Sequence, residues 1–230
     1  MNSLLTVTAF ADSYDLTVLE TVKAELGIEL SDTSQDSNLT RLIHETSAAI
    51  SKICNRVFAE ETVSEVFRNL GDRAWDGRIG ERSYESIILR RRPISSITSV
   101  FEDDIEVDPS EYECDFESGI LYKLTEDDFR TTWAGNKVTV TYVAGWLLLD
   151  DLPYDIERAC LLWIKNFLAQ AKKGDGTGDT SIRVEDVPGL MRKEYFSTSQ
   201  MNSNSMSISP YNPPQEVMVL LSGYVEKAIK

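Results

Sequence analysis

Apolar residues along this chain recur with two periods, and the change between them divides the sequence into helical and extended stretches. Leu19, Val22 and Leu26 share a helical face closed by Gly27, and Thr17 with Glu20 has capping-box spacing, so a short first helix is predicted. After a polar connector at 31–37, Leu39, Leu42, Ile43, Thr46, Ile50, Ile53 and Val57 mark a longer amphipathic helix, with Asp36 or Ser37 as its cap. The period then becomes two. Residues 62–70 are rich in Val and Phe, 86–89 resume an extended pattern, 90–93 interrupt it, and 97–107 continue it. Tyr112, Cys114 and Phe116 alternate with Glu111, Glu113, Asp115 and Glu117, which predicts a strand with one wet face. Ser118-Gly119 turns it into a hairpin partner at 120–124. Val138, Val140 and Tyr142 alternate with Thr139 and Thr141 until Gly145 breaks the strand.

Pro153 then opens the longest apolar helix, 153–173. Ile156, Ala159, Cys160, Trp163, Ile164, Phe167 and Ala171 recur at helical spacing, and Leu161, Leu162 and Leu168 widen the stripe. A helix apolar over most of its circumference needs cover nearly all round, expected from the two earlier helices and from the sheet. The element order gives an α+β fold: a helical core around this long helix, with a mostly antiparallel sheet.

Beyond Lys173 the character changes. Residues 1–173 form the expected core. Residues 174–213, rich in Gly, Ser and Asn, read as a flexible linker. Residues 214–230 regain a helical period through Val217, Leu220, Leu221, Tyr224 and Val225. This tail is expected to be a partner-binding helix, largely disordered in the free subunit, with docking on its own core as the alternative.

The 230 residues carry a formal charge of -15, which argues against a general nucleic-acid-binding surface. Three cysteines, odd in number and far apart, read as reduced, buried thiols. No run reaches membrane-span length. Residues 4–11 faintly resemble a leader peptide but lack a preceding Lys or Arg, so secretion is not expected.

Candidate chemistry is sparse. His44 is the one histidine and reads as structural. The pairs Asp103-Asp104, Asp127-Asp128 and Asp150-Asp151 could serve acid/base work, but adjacent acids on a strand point to opposite faces, so turns or solvated edges are the better reading. Residues 174–179 fit neither a phosphate loop nor a calcium loop. No catalytic, metal-binding or cofactor-binding residue is expected. Arg90-Arg91-Arg92 is the basic cluster; strand alternation would put Arg90 and Arg92 on one face, for an inter-subunit contact or a protected sheet edge. The charged loop at 71–85, with Trp75 between Arg73 and Arg78, is read as a docking loop.

Five stretches in order resemble the head-to-tail connector (adaptor) proteins of tailed bacteriophages. They are Leu16 to Ile28; a helix ending in Cys54-Asn55-Arg56-Val57-Phe58; Leu89 to Val100 with its Arg-Arg-Pro-Ile-Ser-Ser-Ile-Thr-Ser-Val run; Tyr112 to Leu121 with an Asp-x-x-x-Gly-Ile core; and Val138 to Gly145 leading into Pro153. The resemblance covers roughly residues 16–173. It implies a non-enzymatic virion component without cofactor, assembled as a ring, commonly dodecameric, in the neck. Its implied partners are the portal protein and a tail or stopper protein, with DNA passing through the lumen unbound and no membrane. The rival readings from the residues are a monomeric binding module with a partner-folded tail, and an acid-pair hydrolase.

Overall fold

A computed structural model describes residues 3–68, 86–148, 150–174, 184–187, 191–194 and 213–226. The expected docking loop, with Trp75, Arg73 and Arg78, lies outside the described residues. Elements run β1 (Ser3–Ala9), α1 (Leu19–Leu26), α2 (Asp36–Cys54), β2 (Glu61–Arg68), β3 (Ser86–Ile88), β4 (Ile94–Glu102), β5 (Ile105–Glu106), β6 (Tyr112–Asp115), β7 (Ile120–Leu124), β8 (Arg130–Thr131), β9 (Lys137–Ala144), α3 (Tyr154–Gly174), β10 (Val184–Val187), β11 (Met191–Glu194) and α4 (Gln215–Leu221). The fold is α+β, as expected, but the strands form two main sheets rather than one. Contacts divide the chain into two compact units: Met1–Leu16, Ser47–Pro153 and Val225–Lys230 make one, Thr17–Thr46 and Tyr154–Tyr224 the other.

The first unit is a two-sheet sandwich. A five-stranded sheet runs β1-β2-β9-β4-β5, and a second runs β3-β7-β6 with β8 on β7; every ladder is antiparallel. β9 is thus a central strand. Alternation sets its facing: Val138, Val140, Tyr142 and Ala144 are buried, while the residues between them are half-buried. Val63 and Phe67 of β2, Ile87 and Leu121 of the second sheet, and Trp133 complete one apolar core. Each large side chain buried there contributes about 1.5–3 kcal/mol. β1 is the strand the sequence pattern missed: the leader-like stretch instead pairs with β2, Leu4 opposite Val66 and Thr6 opposite Ser64. Phe116, expected on the dry face of its strand, lies just past the end of β6 and is exposed.

Gly145 ends β9 at φ +116°, where a Cβ would lie 2.3 Å from the Ala59 carbonyl oxygen, so no other residue fits the crossing. The acid pairs sit in turns. Asp103 and Asp104 both have positive φ between β4 and β5, and the Asp103 carboxylate accepts from the backbone N–H groups of Asn136 and Lys137. Asp128 also has positive φ, and Asp150-Asp151 follow β9 in a turn.

In the second unit α1 and α4 pack on α3. Ile156, Ala159, Cys160, Trp163 and Ile164 are buried; Leu162, Phe167 and Leu168 are half-buried, and Arg158 and Lys165 are exposed. Cover therefore falls on part of α3's circumference, short of the near-complete sheath expected. The capping box at Thr17 does not form: Thr17 is buried and bonds Glu157 at 3.1 Å, and α1 starts after Val18 without a side-chain cap. Gly27 closes α1 in the left-handed conformation as expected. Asp36, expected as a cap, holds the buried Lys23 at 2.5 Å. Within 174–213, expected to be linker, β10 and β11 pair as a hairpin. No helix among the described residues is long and apolar enough to cross a membrane.

Candidate functional site

The arginine cluster forms a turn rather than a strand, so alternation does not decide where its side chains go. Its placement begins with Glu61 and Glu65, which share the inward parity of β2 with Val63 and Phe67 and are buried at 6% and 0% exposure. A buried carboxylate needs several donors. Glu65 has them: the Ser3 hydroxyl, the Arg90 backbone N–H at 3.1 Å, and the Tyr142 hydroxyl at 2.9 Å. The Tyr142 hydroxyl in turn accepts from the Arg91 N–H at 3.2 Å. Glu61 accepts from the Tyr14 hydroxyl at 2.6 Å and pairs with the Arg91 guanidinium at 3.5 Å. Burial, then the Glu65 charge, push the Tyr142 phenol far above its ordinary range; the bond to Glu61, then burial, raise that of Tyr14. Both tyrosines stay protonated donors. This network holds the turn's backbone against β2 and β9.

Arg92 points the other way. Its stem lies against Gly119 in the β6–β7 turn, where a Cβ would meet the Arg92 Cγ at 2.7 Å; its guanidinium donates to the Ser118 carbonyl at 3.3 Å and pairs with Glu226 at 3.5 Å. Glu226 also pairs with Arg56 at 3.1 Å, and its N–H donates to the Cys54 carbonyl at 2.9 Å. Arg56 lies over the Trp146 ring at 5.2 Å, and Phe58 packs at a tilt to that ring at 5.7 Å. Within the chain, then, Arg92 joins the β6–β7 turn to Glu226, and its side chain keeps part of its surface exposed. Arg90, the other arginine expected at a neighbour, is exposed.

In the C-terminal segment the helix among the described residues is Gln215–Leu221, and it packs on α3 of its own chain, the alternative docking; residues 227–230 lie outside the described residues. Val217 and Leu221 are buried, Leu220 and Tyr224 are half-buried, and Val225 is 41% exposed. The helix thus buries its strongest apolar positions in cis. His44, read as structural and packed, is exposed on α2. Cys54 and Cys160 are buried and Cys114 half-buried; none is in a disulfide, and burial pushes the Cys54 and Cys114 thiols up to about 11. Among the described residues no group of three or more His, Cys, Asp or Glu is placed to hold a metal.

Sequence reasoning missed Glu61, Glu65, Tyr14, Arg56, Trp146 and Glu226. The two β2 acids were detectable, since an acid at an inward position of an alternating strand must have partners. The Arg92–Glu226 pair spans 134 positions and left no local signal.

Polar groups paired with one another in this way brace the turn, and the fold that carries them is shared with chains of virion particles. A chain described as the neck of an empty gene transfer agent particle, computed with C6 symmetry, superposes with TM-score 0.52 at 13% identity, covering 99% of this chain and 97% of that one. A chain from the virion of a native gene transfer agent particle gives 0.52 at 12% identity with the same coverage. No curated protein matches the chain. The head completion protein family matches residues 15–185, and the chain belongs to that family. It is a structural head-to-tail connector of the bacteriophage type, in agreement with the resemblance seen in its sequence.

Proposed function

We propose that this chain is a non-enzymatic ring subunit in the neck of a tailed bacteriophage, joining the portal protein on one side to a tail or stopper protein on the other. The observation that carries the reading is the family match over most of the chain, supported by a fold shared at nearly full length with a chain from the neck of a gene transfer agent particle computed with C6 symmetry. Twelve copies would suit a six-fold or twelve-fold neck. Copies gather in the host cytoplasm during assembly and finish in the virion. A charge of -15 per copy suits a lumen through which DNA passes without specific binding. No cofactor enters this role. Docking draws on the loop at 71–85 through Trp75, Arg73 and Arg78 and on the parts of the C-terminal segment left at the surface, Leu220 and Val225, with Val217, Leu221 and Tyr224 supporting them, while Arg90 and Arg92 contact a neighbouring subunit.

The test is reconstitution with purified portal rings. Ring-shaped density added to the portal in negative-stain images, with co-sedimentation of this chain, is the expected result; a chain that stays monomeric and never sediments with the portal overturns the reading. Trp75→Ala is expected to leave melting unchanged and lower the yield of tailed particles, and parental yield would remove the loop from the docking surface.

A further inference from the structure

The two outer faces of the sandwich differ from the rest of this surface. On three strands of the five-stranded sheet, the outward positions include Leu4 and Thr6 of β1, every second residue of β2 from Thr62 to Val66, and every second residue of β9 from Thr139 to Val143. They are Thr, Ser, Val and Leu, with no charge among them, in a chain in which 27% of residues are charged. The charges begin at the margins of this face, with Arg68 opposite Lys137 at one and Glu106 of the edge strand β5, opposite Phe101, at another. On the second sheet, Ile88 pairs with Ile120, and Tyr122 and Leu124 continue the outward row of β7. Ile88 is exposed and the other three are half-buried. The acids beside this strip are Glu113 and Asp115 of β6. Glu113 is paired with Arg130 at 3.3 Å, and Arg130 lies over the Tyr122 ring at 3.7 Å.

We infer that these two outer faces are the lateral contact between copies of this chain: the Thr/Ser/Val face of one copy seats on the Ile88–Ile120–Tyr122–Leu124 strip of the next. Charge argues for a second copy as the occupant. Each copy carries -15, so like chains repel wherever acids meet, and a neutral face lets them approach without opposing carboxylates. Topology argues for the pairing of unlike faces. The two sheets share one core, so their outer faces look in opposite directions, and a contact between two different patches repeats from copy to copy and closes a ring when the rotation allows. Aliphatic and aromatic side chains against Thr and Val methyl groups make an apolar contact that leaves hydroxyls at its rim.

This assignment rests on the ring reading above and goes beyond it by naming the surface. Particles are assembled with the full chain carrying Thr141→Cys and Ile120→Cys together or singly, oxidised, and run on non-reducing gels. The double variant is expected to give a ladder of covalent multimers, and each single variant dimers at most. If Ile120→Cys lowers the melting temperature, Ser64→Cys with Leu124→Cys replaces the pair. Particles holding several copies of the chain but showing no ladder overturn the surface assignment and leave the ring reading intact. A single copy per particle, counted by quantitative gel, overturns both.

Discussion

The inner and outer faces of the five-stranded sheet are one residue apart in sequence and opposite in what they ask of the chain. Inward, Val63, Phe67, Val138 and Val140 lose all contact with water, and Glu65 and Tyr142 are tolerated there because each finds partners. Outward, Thr62, Ser64, Thr139 and Thr141 keep part of their solvent contact and form no such network in the described bonds. Packing and polar satisfaction are thus concentrated on one side of the same strands, and the other side is left able to change partners. The same contrast recurs on α4, where Val217 and Leu221 are buried and Val219 is 66% exposed.

Substitutions on either side can break that comparison. Trp133→Ala, inside the sandwich, is expected to cost about 3–5 kcal/mol and to lower the melting temperature on the order of 10 °C. A shift of only a degree or two by calorimetry would mean Trp133 is not core. Next comes the pair on α4. Leu221→Asp places a carboxylate in an apolar site and is expected to destabilise by about 3 kcal/mol, whereas Val219→Asp should stay within about 0.5 kcal/mol. Equal denaturation midpoints for the two would show that α4 does not dock on α3 in the free chain. Tyr142→Phe removes a hydroxyl that serves both Glu65 and the Arg91 N–H, and about 1–2 kcal/mol should be lost in urea titration; Thr141→Ala, its outward neighbour, should be near neutral.

The smallest effect is a pH dependence in the helical unit. Hydrogen bonds from Arg158 and Lys165 hold the Glu25 carboxyl below its ordinary value. A group whose folded value is depressed contributes stability that is full above the unfolded value, near 4.5, and is lost as pH falls through the folded one. Glu25→Gln should therefore flatten the acid limb of the stability curve below about pH 4.5 and leave neutral pH little changed, because the pair is exposed. An unchanged acid limb would remove Glu25 from the account.

What the sequence made legible follows the reach of each signal. Alternation in β9, the hairpin at Ser118-Gly119, the stop at Gly27 and the stripe of α3 are local and were readable. β1 was hidden because seven apolar and hydroxyl residues at the start of a chain read equally as a leader, and only pairing with β2, some sixty positions on, makes them a strand. Thr17 looked like a cap because capping is judged within four residues; its actual partner, Glu157, is 140 residues away. The Arg92–Glu226 pair was hidden for the same reason, since Glu226 is remote in sequence. The family resemblance was readable because it rests on the order of local patterns, whereas the contacts of the arginine turn are pairwise and long-range.

Glu65 has a further consequence for how the sheet assembles. Side chains alternate strictly, so a slip of β2 by one residue against β9 would turn Glu65 outward and bring Ser64 and Val66 into the core. At the Glu65 position such a slip would seat Ser64 or Val66, either small enough to fit. Chemistry discriminates strongly: in the slipped pairing the Tyr142 hydroxyl and the Arg90 N–H would lose their acceptor, with unmet buried groups costing about 1–3 kcal/mol each. The buried acid therefore acts as an error check on strand registration, rejecting a near-miss topology that an all-aliphatic inner face would have admitted.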